Sequence, residues 1–354
     1  MKKILVDAYC NKNFGDDLFL KILFERYKDT HFTLLNAPIE YKEIFPNIEI
    51  KNTSKLQRLL SRFNLSQSIE SFVGFIMIGG SMFMQNKTWK KDYYKKNNVI
   101  SGFSVRNKKV FILGSNFGSF KDEFFIKSYE SIFEKCTDIC FRETYSYDLF
   151  NHMPNVRVAP DIVFQLRGIK SPKAKNTVGF SLINLENRED LKSYSNSYIT
   201  KMMELIKSYI ISGKQVTLFS FCEAEGDLDI IKQIKKRIDQ NYLDNIKVCN
   251  YTGNVDDFLN EFSRMEVIIG SRFHSIILAQ VFNQGFYPLI YSDKTYNVLK
   301  DTQLNNYYKY IKNIDELNTE EVINVAKNNK IVDNSCFSKS EGHFKELDSF
   351  LIRN

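Results

Sequence analysis

The chain has 354 residues, of which 43% are hydrophobic and 26% charged, and it carries a formal net charge of +7. These proportions exclude an intrinsically disordered chain, and the length suits two domains at roughly 100–200 residues each. The positive balance is compatible with an anionic substrate or an anionic lipid surface; no zinc-finger, RNP or helix-turn-helix pattern accompanies it, so nucleic acid is not an expected partner.

Residues 4–8 form a short apolar run of the kind that buried parallel strands use. A turn at 11–15 follows, then a helix whose apolar face is Leu18, Phe19, Ile22, Leu23 and Phe24, then a strand at 32–35. Strand, helix, strand is the order of an α/β unit with a crossover helix. The alternation continues with strands at 72–78, 110–113, 139–141 and 156–159 and helices at 124–133 and 144–150. Residues 167–176, polar with Gly168 and Pro172, read as a linker. The pattern then restarts. Strands are expected at 177–183, 216–221, 246–249, 267–269 and 286–291. Helices are expected at 191–211, 228–238, 256–262 and 273–282, with two more at 319–327 and 344–352. The expected fold is therefore α/β, with two Rossmann-like domains facing a cleft, and the expected domains are 1–168, 169–315 and a helical tail, 316–354.

Six cysteines are scattered. The one close pair, Cys136 and Cys140, has i,i+4 spacing and no histidine nearby, which is not a zinc pattern. Asp7 interrupts the first apolar run too early for a signal peptide, and no stretch reaches the ~18 apolar residues of a membrane span. The expected setting is cytoplasmic, extending to the inner face of a membrane. Residues 51–63 carry Leu56, Leu59, Leu60 and Phe63 on one helical face with Lys55, Arg58 and Arg62 on others, a pattern that lies on anionic lipid. Lys87, Trp89, Lys90, Lys91, Tyr93, Tyr94, Lys95 and Lys96 again mix cations with aromatics.

In open parallel sheets ligands bind beyond the carboxyl ends of the strands, so the residues just after each strand are the candidates for chemistry. Ser271-Arg272-Phe273-His274 lies on a strand-to-helix turn. Backbone N–H groups, a guanidinium and one of only four histidines meet there, which suits an anion. Lys294 follows the next strand. In the first half, Gly79-Gly80 allows close backbone approach, Arg142 stands at a strand end, and Asp161 ends the last strand. Asn13 and Asp16 follow the first strand; Asp16 is either a sugar-hydroxyl acceptor or a helix cap.

Taken in order, Asn13-Phe14-Gly15-Asp16, Ile78-Gly79-Gly80, Arg142 to Ser146, Pro160-Asp161, Ser271-Arg272-Phe273-His274 with Ala279, and Tyr291 to Lys294 resemble the polysaccharide pyruvyltransferase family over residues 13 to about 294. Ser81 stands where members often have a third glycine. The resemblance implies an architecture similar to GT-B glycosyltransferases and phosphoenolpyruvate as donor substrate, with no further cofactor and no metal. It implies that Arg272 and His274 meet the donor, with His274 the catalytic acid, and that Arg142 is a second arginine from the other domain. Asp16 and Asp161 are candidates for the base; Phe273, Ser271, Lys294, Asn13, Gly79 and Gly80 complete the expected substrate contacts. The acceptor implied is a saccharide, free or lipid-linked, of a cell-surface polysaccharide. The alternatives are a GT-B-like glycosyltransferase using a nucleotide sugar and a non-catalytic saccharide or lipid binder.

Overall fold

The computed structural model describes residues 2–52, 69–166 and 172–352. Most of the basic segment 51–63, and the first half of the linker 167–176, lie outside the described residues. Two compact units are present. One comprises Met1–Cys10, Phe19–Gln165 and Ser335–Asn354; the other comprises Asn11–Leu18 and Leu166–Asn334.

The first unit holds a seven-stranded sheet of β1 (Lys3–Asp7), β2 (His31–Leu35), β3 (Glu49–Lys51), β4 (Gly74–Ile78), β5 (Lys109–Ser115), β6 (Asp138–Phe141) and β7 (Val156–Val158). Their order is β3-β2-β1-β4-β5-β6-β7, and every pairing is parallel. The order reverses between β1 and β4, which is the switch point of a doubly wound sheet. β4 and β6 are buried along their whole length; β4 is a continuous apolar run, as a strand covered on both faces should be, and β6 opens on Asp138, which Arg157 pairs. One core face is unusually aromatic: Phe83, Phe117, Phe125, Tyr129, Phe133 and Phe150 pack mostly edge to face, with Phe117 and Phe150 centroids 4.8 Å apart.

The second unit holds a six-stranded sheet of β8 (Thr177–Ser181), β9 (Gln215–Ser220), β10 (Ile246–Asn250), β11 (Val267–Gly270), β12 (Gly285–Ile290) and β13 (Lys309–Tyr310). Its order is β10-β9-β8-β11-β12-β13, again all parallel, with the switch point between β8 and β11. Its core includes Val178, Phe180, Leu205, Ile206, Leu218, Ile231 and Ile269.

The tail expected over 316–354 divides at Asn334. Helix Thr319–Ala326 stays with the second unit, where Val322 and Ala326 enter its core. Residues from Ser335 onward return to the first. Polar contacts tie them there: Arg157 Nη1 donates to Gly342 O at 2.7 Å, Lys2 Nζ to Phe350 O at 2.6 Å, and Arg26 pairs with Asp348. Helix Trp89–Ser104 lies across the segment read from sequence as mixed cations and aromatics; Trp89 packs against Phe125 at 5.1 Å. Among the described residues, no helix is long and apolar enough to cross a membrane.

His343 belongs to the returning segment. It is fully buried, and its Nε2 lies 2.9 Å from Pro160 O. Burial drives its pKa from 6.5 down to about 3. The unfolded chain therefore takes up this proton below about pH 6.5, whereas the folded chain resists it until pH nears 3. Stability falls as pH drops through that window, by up to about 1.4 kcal/mol per pH unit for this one group. A His343→Gln variant should show a shallower decline of its urea midpoint between pH 6.5 and 4 than the unsubstituted protein; parallel curves would refute the assignment.

A candidate active site at the strand ends

Four adjacent strands of the second sheet, β9, β8, β11 and β12, bring their carboxyl ends together. The turn after β11 is held by Ser181 at the end of β8. Its Oγ accepts the N–H of Ser271 and of Arg272, both at 3.1 Å, and lies 2.6 Å from Ser275 Oγ. Ser275 Oγ in turn donates to Arg272 O at 2.6 Å, so the Ser181 hydroxyl gives its proton to Ser275 and keeps its lone pairs for the two backbone donors. Ser271 Oγ pairs with the Tyr198 hydroxyl at 2.7 Å. The result is a rigid entry to helix Phe273–Val281, with Arg272 at its N-cap.

The Arg272 side chain is committed to carboxylates from the end of β9. Nε donates to Asp227 Oδ2 at 2.9 Å, Nη2 pairs with Asp227 Oδ1, and Nη1 donates to Glu225 Oε2 at 2.5 Å. Asp227 is fully buried, and its Oδ2 also accepts Phe221 N–H and Cys222 N–H, each at 3.1 Å. Burial alone would lower the Arg272 pKa, but Asp227 and Glu225 hold it well above its ordinary value. Burial would raise the Glu225 carboxyl, but Arg272, Arg188 and Asn13 hold it below the usual range. This fork is invisible in sequence because the partners stand 45 residues apart, and Asp227 at the start of helix Asp227–Arg237 reads simply as a residue favoured by the helix dipole.

Asn11–Leu18 belongs to this unit and explains the Asn13-Phe14-Gly15-Asp16 motif. Asn13 Oδ1 accepts Gly15 N–H at 3.1 Å, and its Nδ2 donates to Glu225 Oε1 at 3.1 Å. Phe14 donates its N–H to Phe221 O at 2.9 Å and packs among Phe221, Tyr251 and Phe258. Gly15 has no Cβ because the His274 ring lies where one would be: a built Cβ would overlap Nδ1. The neighbouring Asp17 is buried and accepts the Tyr251 hydroxyl at 2.7 Å, while Asp16 is half-buried. His274 is also half-buried, its ring nearly perpendicular to Phe273 at 5.1 Å.

After β12, the Tyr291 ring has the Arg188 guanidinium 4.6 Å from its centroid and Lys294 Nζ at 5.5 Å; Lys294 also lies 5.8 Å from the Phe273 ring. Burial would raise the Tyr291 phenol, but Lys294, Arg188 and Arg272 outweigh it and pull it below its ordinary value. The structure thus gathers Asn13, Asp16, Ser271, Arg272, Phe273, His274 and Lys294 in one unit. It adds Arg188, Glu225, Asp227 and Tyr291, of which only Tyr291 lay in a segment singled out from sequence.

The remaining expected residues sit in the first unit and are tied to one another. Arg142 Nη1 donates to Asp161 Oδ2 at 3.2 Å and Nη2 to Asn116 Oδ1 at 2.7 Å, and all three residues are buried. A Cβ at Gly80 would stand 2.7 Å from both Arg142 Nη atoms, so the close approach that this glycine permits is to Arg142. Gly79 O accepts the Ser115 hydroxyl at 2.8 Å. Asp161 also accepts Val163 N–H at 2.9 Å; burial raises its pKa and Arg142 pulls it back. Among the described residues, no group of three or more His, Cys, Asp or Glu is placed to hold a metal ion.

Two doubly wound parallel-sheet units define an α/β protein of the GT-B type, the fold shared with glycosyltransferases and sugar-nucleotide epimerases. Within that class, the chain belongs to the polysaccharide pyruvyl transferase family, whose sequence profile matches residues 13–293, and it is a transferase. Anabaena HepE in complex with UDP and glucose superposes with a TM-score of 0.57 at 10% identity, over 100% of both chains. Staphylococcus aureus MnaA with UDP gives 0.60 at 12% identity, over 100% of this chain and 98% of that one. The Neisseria meningitidis UDP-GlcNAc 2-epimerase bound to UDP-GlcNAc gives 0.59 at 10% identity, over 100% of both chains. These likenesses concern the fold alone. No curated protein sequence matches the chain significantly.

Proposed function

We propose that the protein transfers the enolpyruvyl unit of phosphoenolpyruvate to a sugar of a cell-surface polysaccharide or its precursor, forming a pyruvate ketal. The observation that supports this reading most is His274 at the switch point of the second sheet, its ring seated over Gly15 on the helix that Arg272 caps. A histidine supplies a general acid near neutral pH.

In the reaction, His274 delivers a proton to the methylene carbon of the donor, and the adjacent carbon becomes electrophilic. A sugar hydroxyl adds there and loses its proton. The carbon–oxygen bond to phosphate breaks, and phosphate leaves. A second hydroxyl of the sugar closes the ring at the same carbon and loses its own proton. Of the two protons released, one restores His274 and the other goes to the departing phosphate. The cations near Tyr291 suit a donor bearing both a phosphate and a carboxylate.

The test is thermal-shift titration with phosphoenolpyruvate, and separately with nucleotide sugars, without added metal. A ligand specific to the folded state contributes about 2.7 kcal/mol at a hundred times its Kd, so phosphoenolpyruvate should raise the melting temperature in a saturable way. A response to a nucleotide sugar alone would replace this reading with a glycosyltransferase.

A further inference from the structure

We infer that Arg188, stacked on Tyr291, is the arginine that grips the phosphate-bearing donor, and that Arg272 acts as a positioning residue behind it. The inference rests on the donor class proposed above. It begins with the two guanidinium groups. Arg272 has its side chain 8% exposed and three of its N–H donors directed at Asp227 and Glu225. A phosphate brought to Arg272 would meet two carboxylates as well as one cation, and like charges at that range oppose binding. Arg188 is different. Its side chain is 29% exposed, and among the described residues its one carboxylate contact is a long one, 3.5 Å to Glu225 Oε2. That contact is made by Nη2, and a planar fork is the geometry that binds carboxylate and phosphate bidentately.

The loop that carries Arg188 is built and anchored. It leaves β8 at the switch point, buries Leu182, Ile183 and Leu185, and closes on itself through Arg188 N–H to Leu185 O at 3.0 Å and Leu191 N–H to Arg188 O at 2.9 Å. Asn184 packs so closely on Gly226, the residue between Glu225 and Asp227, that a Cβ there would stand 2.6 Å from Asn184 Nδ2. Loop and acidic turn are thereby fixed to each other. The Tyr291 ring then sets the direction of the guanidinium at 4.6 Å. Arg188 and Lys294, 4.6 and 5.5 Å from the Tyr291 ring, concentrate positive charge at this spot, as an anion site requires. Arg272 contributes by pairing with Glu225 Oε2, the same oxygen that faces Arg188, and so offsets that carboxylate's charge beside it.

The experiment measures binding of phosphoenolpyruvate and of inorganic phosphate, each by thermal shift, to the full chain and to Arg188→Ala, Arg188→Lys and Arg272→Lys. Arg188→Ala should keep the ligand-free melting temperature and weaken phosphoenolpyruvate binding at least tenfold. Arg188→Lys should recover part of that loss, because the charge returns without the fork. Arg272→Lys should lower the ligand-free melting temperature and weaken binding less than Arg188→Ala does. An undiminished phosphoenolpyruvate response in Arg188→Ala would overturn the inference and leave the donor reading standing. A phosphate response lost in Arg188→Ala, with no phosphoenolpyruvate response in the unsubstituted protein, would remove the pyruvyl donor and keep Arg188 as an anion ligand. No response to either probe would overturn both.

Discussion

Replacing His274 with alanine is expected to lower turnover by about 10²–10⁴-fold, the usual contribution of a positioned general acid. The melting temperature should change little, because the side chain is half-buried. The same chemistry can be probed with the histidine intact. The ring rests where a Cβ on Gly15 would have to be, so Gly15→Ala must push the imidazole away from its seat. A loss of turnover in Gly15→Ala that approaches the loss in His274→Ala would show that placement of the ring, and not its presence alone, is what the reaction uses. Full activity of His274→Ala with purified donor and acceptor would remove the acid role altogether.

The second large effect is on folding. Arg272→Ala leaves Asp227 and Glu225 without their shared cation, and Asp227 is fully buried. Breaking a buried pair by removing one partner typically costs about 3–5 kcal/mol, which for a unit of this size lowers the melting temperature by roughly 6–20 °C. From sequence alone Arg272 is a donor ligand, and its loss would show mainly in substrate affinity. The structure places a folding cost ahead of any binding cost. Calorimetry without ligand separates the two: an unchanged ligand-free transition in Arg272→Ala would contradict the buried fork. The double variant Arg272→Ala with Asp227→Ala should recover part of the loss, since it removes the stranded carboxylate too.

Much of the fold was legible because buried parallel strands announce themselves as apolar runs. β4, β11 and β12 are buried at every residue and were read within two residues of their observed ends. β3 and β13 were not read. They have three and two residues, and Glu49, Lys51 and Lys309 break any apolar signal. Helix Trp89–Ser104 was hidden by its lysines, although Trp89, Tyr93, Lys96, Ile100 and Phe103 repeat at helical spacing and the last two are buried. For the site, residues that sit in local motifs were found and residues that act through distance were not. His274 lies in a strand-turn-helix motif. Arg188 lies in a polar loop with nothing local to mark it, and its importance comes from Tyr291, a residue brought near only when β8 and β12 flank β11. Gly15 was visible as a motif glycine, but its reason is a ring that comes from residue 274.

The first unit is closed by bonds between residues that are 348 and 322 positions apart, Lys2 with Phe350 and Arg26 with Asp348. A ribosome delivers β1 through β7 early and the segment from Ser335 onward only after the whole second unit has emerged. The unit whose strands are made first is therefore completed last. For the entire time the second sheet is being synthesised, Tyr27 and Phe111 lack the rings of Phe344 and Phe350 that pack against them in the finished protein.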